Sequence, residues 1–245
     1  MKVVAILQAR TSSSRLPGKV LMEINQKTII EHVVHNVRAA NLVDQIVVAT
    51  SEESNDDPIV SLCIQEKMDF YRGSLIDVLD RYYKVAQINK ADIIVRITCD
   101  CPLVSSITID KSVSELIKGR YDYFANTCPP KTSIYPDGSD VEVFTYDALK
   151  KAYYSKSKYV SREHVTFQFW QDKSYKSKQL KDLKRNLNKY RYTLDYHEDF
   201  EVISYIINSL GNQKNHTVED VAEILDKNKK IKELNSKYHF GIGWK

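Results

Sequence analysis

The sequence has few glycines and prolines and no long apolar run. Seven glycines and six prolines in 245 residues, with no repeats, leave no stretch that resembles a flexible linker. We therefore expect a single domain over residues 1–245. No window approaches the about 20 apolar residues that a membrane span requires, and the short apolar N-terminus shows no cleavage site. We expect neither a membrane partner nor export.

Cysteine and net charge are also limited. The four cysteines form no CxxC pair, and the Cys99-Asp-Cys101 spacing suits neither a zinc knuckle nor a disulfide. A reducing cytoplasm is therefore the expected location. The net charge of +4, from 36 basic against 32 acidic residues, is too small and too diffuse to indicate a nucleic-acid partner.

Apolar patterns in the first half alternate between strand and helix. Near-continuous β-branched runs predict buried parallel strands at Lys2–Leu7, Gln45–Ala49 and Asp92–Ile97. Helical spacing of apolar residues predicts helices at Thr28–Ala39, Ile59–Met68 and Leu75–Ile88. This alternation predicts an α/β fold with a doubly wound, mostly parallel sheet.

The second half changes rhythm after about residue 121. "YPDGSDVEVF" predicts a turn and a strand, "REHVTFQFW" a helix, and "KYRYTLDY" a strand that contains Asp195. We expect these segments to complete the sheet and to add a flap over one end of it, within approximately residues 121–170. The tail "VEDVAEILDKNKKIKELNSKYH" predicts two surface helices.

The loop in "AILQARTSSSRLPGKVL" is basic and follows the first strand. It holds Arg10, Arg15 and Lys19 among serines and a Pro-Gly turn. Because ligands of open α/β sheets bind at the carboxyl ends of the strands, its amides and cations suit phosphate oxygens. It matches neither the Walker pattern nor GxGxxG. The alternative is a solvated basic loop, and we expect Arg15 and Lys19 to be the residues least needed by the fold.

Two acidic residues follow predicted strands. Asp100 follows the third strand in "RITCDCPLV", and Asp195 ends the strand in "TLDYHEDF". Two carboxylates that converge on one crevice suit a divalent metal ion bound to a polyphosphate. The alternative for Asp100 is a turn or helix N-cap, and either aspartate could cap the helix beginning near Glu198.

Other polar stretches have structural explanations as well. In "YRGSLIDVLDRYY", Ser74 as N-cap and Asp77 at the third helical position fit a capping box. "YPDGSDVEVF" and "SREHV" supply six further polar side chains: Asp137, Asp140, Glu142, Arg162, Glu163 and His164. On an amphipathic helix, His164 is more often structural than catalytic.

Seven stretches, in this order, resemble the spore coat polysaccharide (SpsF-type) branch of the sugar-acid cytidylyltransferases: "LQARTSSSRLPGKVL", "VVATSEESNDDPI", "YRGSLIDVLDRYY", "VRITCDCPLV", "YPDGSDVEVF", "SREHVT" and "TLDYHEDF". The enzymes that make CMP-KDO and CMP-sialic acid share the basic loop in some form. The resemblance implies a Rossmann-like nucleotidyltransferase fold that binds CTP and Mg²⁺. It also implies transfer of CMP to an acidic sugar, in surface polysaccharide or glycan biosynthesis, by a homodimer that exchanges its flaps.

The resemblance also assigns roles to single residues. It gives the CTP phosphates to Ala9, Arg10, Arg15 and Lys19, and the nucleoside to the stretch from Ser74 to Asp77. It gives Mg²⁺ to Asp100 and Asp195, and the acceptor to Glu142, Arg162 and His164. Two departures are Cys99, where the pattern usually has Gly, and Tyr196-His197, which replaces Thr-Pro. The first puts close backbone approach at the metal loop in doubt.

These residues and the resemblance predict an in-line attack on the α-phosphorus, with Arg15, Lys19 and Asp100 as the catalytic residues that neutralise charge. One alternative is a glycosyltransferase that consumes a nucleotide sugar. Another is a catalytically silent nucleotide-binding partner, which loss of Lys19 or of either aspartate would indicate. All three residues are present.

Overall fold

One seven-stranded sheet organises the computed structural model, which describes residues 1–156, 160–211, 213 and 215–240. The strands in the described residues are β1 (Val3–Gln8), β2 (Glu23–Ile24), β3 (Lys27–Thr28), β4 (Gln45–Ser51), β5 (Phe70–Gly73), β6 (Ile93–Thr98), β7 (Tyr123–Ala125), β8 (Glu142–Thr145) and β9 (Ser177–Gln179). The order in the large sheet is β5-β4-β1-β6-β8-β7-β9, while β2 and β3 form a separate hairpin.

Most neighbours in the large sheet run parallel. β1 lies between β4 and β6, all three parallel, and β4 pairs with β5 in the same direction. β8 is antiparallel to both β6 and β7, because it returns after a turn without a crossover helix. The predicted doubly wound, mostly parallel sheet is confirmed.

Helices cover both faces of the sheet. The helices in the described residues are α1 (Ile29–Arg38), α2 (Asp57–Gln65), α3 (Val78–Ile88), α4 (Ser106–Gly119), α5 (Tyr146–Tyr154), α6 (Phe167–Gln171), α7 (His197–Leu210), α8 (Val218–Lys227) and α9 (Lys229–Glu233). The core on one face includes apolar residues of α1, α4, α7 and α8, and the core on the other includes those of α3, α5 and α6. None of the helices described is long and apolar enough to cross a membrane.

The predicted helices of the first half are present, with shifted boundaries. α1 begins after Thr28, whose hydroxyl accepts the N–H of Glu31 in a capping box. α3 begins later than predicted, because Asp77 is its N-cap and accepts the N–H of Asp80 at 2.9 Å. The helix start expected after Ser74 is therefore wrong. One bond of the expected capping box is nevertheless present, because the Ser74 hydroxyl accepts the N–H of Asp77 at 2.9 Å.

Two predictions in the second half are wrong about local structure. "REHVTFQFW" is helical only within α6, and His164 lies in the preceding turn. "KYRYTLDY" joins no strand of the sheet and makes one isolated bridge, between Arg191 and Asp137. Hydrogen bonds to loops replace a ladder there: the Tyr192 N–H donates to the Asp137 carbonyl and the Leu194 N–H to the Asp100 carbonyl, both at 2.8 Å.

The segment 121–170 is divided between the sheet and its surface. Its first part supplies β7, β8 and α5, which belong to the sheet and its core. The part after residue 160 lies against α3, where the Leu79 N–H donates to the Arg162 carbonyl at 2.8 Å. Exchange of a flap between two copies stays a prediction. The two tail helices predicted from the sequence are α8 and α9.

Candidate active site

A cavity lies where the carboxyl ends of β1 and β6 meet the turn before β8. This is the edge at which open α/β sheets bind ligands. Its charged and nucleophilic lining residues are Arg10, Ser13, Ser14, Arg15, Lys19, Arg96, Cys99, Asp100, Cys101, Asp137, Asp140, Glu142, Glu163, His164, Arg191 and Asp195. The cavity therefore brings together most of the residues selected from the sequence.

Lys19 joins the two predicted metal carboxylates. Its Nζ lies 2.8 Å from Asp100 Oδ2 and 2.8 Å from Asp195 Oδ1. Since both oxygens contact the same nitrogen, they lie no more than twice that distance apart. Lys19 is 7% exposed. Burial lowers the pKa of its ammonium, but the charges of Asp100 and Asp195 outweigh burial and raise that pKa above its usual value.

The fold depends on Lys19 more than we expected from the sequence. Gly18, just before it, has φ of 70° and turns the chain so that its N–H donates to the Thr11 carbonyl at 2.9 Å. The Lys19 side chain then extends into the interior, where its ammonium lies between the two carboxylates and contacts both. These contacts argue against the expectation that Lys19 is among the residues least needed by the fold, because its removal would leave those carboxylates without their shared cation. Arg15, with a side chain 36% exposed, fits the expectation better.

Asp195 is held by three cations. Besides Lys19, Arg15 Nη2 contacts its Oδ1 at 2.7 Å and Arg191 Nη2 contacts its Oδ2 at 3.0 Å. The residue is 5% exposed. Burial raises the pKa of its carboxyl, but the charge and hydrogen bonds of Lys19 and Arg15 overcome burial and hold the pKa well below its usual value. Asp195 is thus ionised over the whole physiological range.

Asp100 is more open to the cavity, with a side chain 27% exposed. Burial and the Asp195 charge raise its pKa, whereas the Lys19 charge lowers it, and the balance falls below the usual value. Asp100 directly follows β6, as predicted from the sequence. It caps no helix, since α4 begins after Ser105.

The helix-cap alternative for Asp195 is also excluded. α7 begins at His197, and the carboxylate of Asp199 accepts the N–H groups of Asp195 and Tyr196 at 2.9 and 3.0 Å. Asp199 therefore performs the capping role, and the Asp195 side chain is left to face the cavity and its cations.

Arg191 is a site residue that sequence reasoning missed. Its buried guanidinium contacts Asp137 at 2.6 Å, Asp195 at 3.0 Å and Asp199 at 3.0 Å. These contacts fix the extended segment that carries Asp195 against the turn before β8. The sequence "KYRYTLDYHED" does contain an arginine that precedes two aspartates by four and eight residues. The prediction of a strand there gave no reason to expect the arginine to contact both aspartates.

In the first loop, the predicted phosphate-binding cations face the cavity, whereas the predicted alanine is buried. Arg10 is exposed, lines the cavity and pairs with none of the described carboxylates. Ala9 is buried, and its N–H donates to the Ala49 carbonyl at 3.1 Å. A direct contact of Ala9 with phosphate stays a prediction, while Arg10 and Arg15 present charge to the cavity.

The proposed acceptor residues separate into two groups. Glu142 is buried in the cavity wall, where Arg96 and the Tyr123 hydroxyl bond to its carboxylate. His164 lines the cavity and stacks on Phe167 with ring centroids 4.4 Å apart. Burial lowers the pKa of the His164 imidazole, so it is largely neutral at pH 7.

Arg162 lies beside the cavity rather than among its lining residues. Its guanidinium contacts the Asp77 carboxylate at 2.6 Å and thereby joins the turn that carries His164 to the start of α3. Ser74 and Asp77 also lie outside the lining. Contact of the stretch from Ser74 to Asp77 with a nucleoside, and of Arg162 with an acceptor, stay predictions.

The carboxylates at this site fit a magnesium ion. Mg²⁺ is usually bound by one or two carboxylates, with substrate phosphates and waters as its other ligands. Asp100 and Asp195 each direct one carboxylate oxygen at the same position, which the Lys19 ammonium occupies in this structure. The described residues contain no group of three or more metal-ligating side chains, so phosphate oxygens would have to complete the coordination.

A mostly parallel α/β sheet with a basic first loop and two facing aspartates at its carboxyl edge is the arrangement expected of a Rossmann-like nucleotidyltransferase. A family model described as "Cytidylyltransferase" matches residues 4–238. The chain therefore belongs to the cytidylyltransferase family, and it is a CTP-dependent nucleotidyltransferase. This finding favours neither the glycosyltransferase nor the silent partner.

Relatives with sequence similarity agree with this assignment. An uncharacterized protein of Methanocaldococcus jannaschii is 37% identical, covering 96% of this chain and 95% of that protein. The spore coat polysaccharide biosynthesis protein SpsF of Bacillus subtilis is 27% identical, covering 92% and 95%. The 3-deoxy-manno-octulosonate cytidylyltransferase of Geobacter metallireducens is 33% identical over 48% of this chain and 45% of its own. The SpsF-type resemblance is confirmed.

A solved structure has the same architecture. A cytidylyltransferase from Leptospira borgpetersenii superposes with a TM-score of 0.87 at 31% identity, covering 98% of this chain and all of that one. The Rossmann-like nucleotidyltransferase fold expected from the sequence is confirmed.

Proposed function

We propose that the protein transfers CMP from CTP to an acidic sugar, with release of pyrophosphate, in the biosynthesis of a surface polysaccharide or glycan. The observation that carries this proposal is the contact of Lys19 with both Asp100 and Asp195 beside the exposed Arg10 and Arg15. The relatives named for spore coat polysaccharide biosynthesis and for 3-deoxy-manno-octulosonate support the class of acceptor.

The chain's contribution to this reaction is positioning and charge. Arg10 and Arg15 stand at the cavity surface, where guanidinium groups can bind phosphate oxygens in pairs. Lys19 contacts two carboxylates, so its charge is present at the site before substrate arrives. These cations would hold the triphosphate for in-line attack and neutralise the leaving pyrophosphate.

Asp100 and Asp195 are the proposed ligands of Mg²⁺. When bound, the ion would supply positive charge to the phosphate oxygens. Ion pairs with Arg191 and Arg15 orient the Asp195 carboxylate. An ion pair with Lys19 orients the Asp100 carboxylate, which remains open to the cavity. Since Lys19 contacts both carboxylates, we propose that its ammonium turns toward phosphate when the ion is present.

The acceptor would enter from the side of β8 and the turn before α6. His164 and Glu142 line that side. The ion pair of Arg162 with Asp77 connects the same turn to α3, so closure of this turn over a bound acceptor would carry Arg162 with it. We also propose a homodimer and a cytoplasmic location, as the resemblance and the unpaired cysteines suggest.

The test is pyrophosphate release from each of the four nucleoside triphosphates, with Mg²⁺ and a panel of acidic sugars that includes 3-deoxy-manno-octulosonate and sialic acid. We expect turnover with CTP and at least one acid. A neutral-sugar panel is the matched control, because it offers hydroxyl groups without the carboxylate. Turnover with neutral sugars alone, or with none, would refute the proposed acceptor class.

A further inference from the structure

We infer that Asp140 is the general base that takes the proton from the acceptor hydroxyl as its oxygen attacks the α-phosphorus of CTP. This inference rests on the proposed function. Asp140 lies in the turn before β8 and lines the same cavity as Lys19, Asp100 and Asp195.

Asp140 is partly buried, and it differs from the other buried or partly buried carboxylates of the cavity in having no cationic partner among the described residues. Lysine or arginine side chains pair with four of them: Asp100, Asp137, Glu142 and Asp195. No lysine or arginine in the described ranges pairs with Asp140. A carboxylate neutralised by a cation is a poor proton acceptor, so the unpaired one is the better candidate for a base.

The Asp140 carboxylate is also held in a fixed orientation. Thr127 Oγ1 donates to its Oδ1 at 2.7 Å, and the Gly138 N–H donates to its Oδ2 at 2.9 Å. The Cys101 thiol also donates to Oδ2, with its Sγ 3.8 Å away. A carboxylate offers about four acceptor sites, so about one remains for a substrate hydroxyl. Gly138 is packed so closely on the backbone of residues 192 and 193 that a Cβ there would lie 2.3 Å from the Thr193 nitrogen. The turn is therefore rigidly placed.

Apart from two arginines that pair with other carboxylates, the titratable groups that face Asp140 are carboxylates, thiols and a phenol. Titratable neighbours come from the loop after β6, the loop after β7, the residues beside Asp140 and the extended segment before α7. They are Asp100, Cys101, Cys128, Asp137, Glu142 and Tyr192. The two arginines on this side, Arg96 and Arg191, are engaged by Glu142 and by Asp137.

Burial and the charges of Glu142 and Asp100 raise the pKa of Asp140, although the bonds from Thr127 and Gly138 oppose this shift. A carboxyl with a raised pKa is closer to the working pH, and this improves general-base catalysis. The neighbouring Asp100 and Asp195 are shifted the other way. The environments thus separate carboxylates that stay ionised from one that can accept a proton.

The step balances without a further reagent. The acceptor oxygen forms a bond to the α-phosphorus while the bond from that phosphorus to the bridging oxygen of pyrophosphate breaks. The hydroxyl proton passes to an oxygen of Asp140, and pyrophosphate leaves with the bonding electrons. Asp140 returns the proton to solvent after the product departs.

The test is the Asp140→Asn variant, assayed by pyrophosphate release with CTP, Mg²⁺ and the acid sugar that is turned over fastest in the panel above. General-base catalysis typically contributes about 10²- to 10⁴-fold, so we expect kcat to fall by that factor with little change in KM for the acceptor. The wild-type rise of kcat with pH on the acid side should disappear. Asp147→Asn, the same change on the exposed first turn of α5, should leave kcat unchanged.

A second variant, Asp140→Ala, tests the same role without the amide that asparagine introduces. In Asp140→Ala, added formate should restore part of the lost kcat, since a small carboxylate can occupy the vacated position. A rise in KM with unchanged kcat, a retained acid limb, or a loss of kcat in Glu163→Gln instead would overturn the inference. Wild-type protein without turnover would instead refute the proposed function, so the two failures are distinguishable. Equal stabilisation of wild type and Asp140→Asn by CTP in a thermal melt shows that the variant is folded.

Discussion

Lys19 combines a structural and a chemical role in one side chain. Its ammonium is buried and compensates two carboxylates, so its loss removes the cation paired with Asp100 and one of the three cations paired with Asp195. We expect Lys19→Met to lower the free energy of unfolding by about 3 kcal/mol, the lower end for breaking a buried pair, because Asp100 is partly exposed. Urea denaturation measures this.

Arg15→Gln is the matched comparison for Lys19→Met. It removes a cation from the same Asp195 oxygen, but from a half-exposed position, so we expect a cost of under about 1 kcal/mol. Equal stability of the two variants would contradict the structural role of Lys19.

Asp100 and Asp195 should act as one unit in catalysis but differ in stability. If both hold one metal ion, Asp100→Asn and Asp195→Asn each abolish most turnover, and the double variant is hardly worse than either single one. The structure adds that Asp195→Asn will also be destabilised, because Arg15 loses its charged partner while Lys19 and Arg191 each lose one of theirs. Asp100→Asn should be destabilised less, because Asp100 is partly exposed and Lys19 keeps Asp195 as a partner. Steady-state kinetics and urea melts of all three variants check this; additive losses would exclude a shared ion.

The same carboxylates predict how stability depends on pH. The folded-state pKa values of Asp100 and Asp195 lie below their usual values, so their contribution is complete above about pH 4, the value for an unfolded aspartate. It is lost as pH falls through the lower folded values. We expect the melting temperature to fall between pH 4 and pH 2, and to fall less in Asp195→Asn. An equal slope in the variant would contradict this assignment.

Two glycines show how the elements around the site are joined. Gly138 has φ of 102° and lies against the backbone of residues 192 and 193, which carries the chain toward Asp195. Gly18 has φ of 70°, but a Cβ there would meet nothing within 4 Å. Both positions disfavour a side chain by about 1–2 kcal/mol, but only Gly138 adds a backbone clash.

We therefore expect Gly138→Ala to destabilise the protein by about 3 kcal/mol or more, since overpacking adds to the strain. Gly18→Ala, its control, should cost about 1 kcal/mol. Urea denaturation of both variants measures the difference. If Gly138→Ala costs no more than Gly18→Ala, the close packing of the turn on the segment before α7 is wrong.

Elements with regular apolar patterns were predictable from the sequence, and elements fixed by tertiary contacts were not. The order of β1, α1, β4, α2, α3 and β6 follows from buried β-branched runs and helical spacing, whereas β5, with the sequence FYRG, has no β-branched residue. The extended segment before α7 has a strand-like composition, yet its partners are the loop at Asp137 and the carbonyl of Asp100. The sequence of the segment itself does not indicate whether its hydrogen-bond partners are loops or a neighbouring strand. The Arg191 network was missed for the same reason.

The candidate site was predictable to the extent that residues follow strands. Asp100 and the basic loop directly follow β6 and β1, and sheet topology alone brings those ends together. Asp195 was placed correctly, although the strand assigned to it does not exist. That Lys19 is buried between the carboxylates required the structure, because a lysine in a polar loop has no sequence feature that indicates burial.

For the molecule as a whole, nucleotide binding should add directly to stability, because the site joins the first loop, the β6 loop and the segment before α7. A ligand that binds only the folded state adds about 2.7 kcal/mol at 100 times its Kd. At about 2–4 °C per kcal/mol for a chain of this size, CTP with Mg²⁺ should raise the melting temperature by about 5–10 °C.

Arg10→Ala should reduce this shift without changing the melting temperature of the free protein, since Arg10 is exposed and pairs with none of the described carboxylates. Leu42→Ala, a change at an exposed position outside the cavity lining, is the control. A wild-type protein that CTP and Mg²⁺ do not stabilise would contradict the assignment of the first loop to the triphosphate.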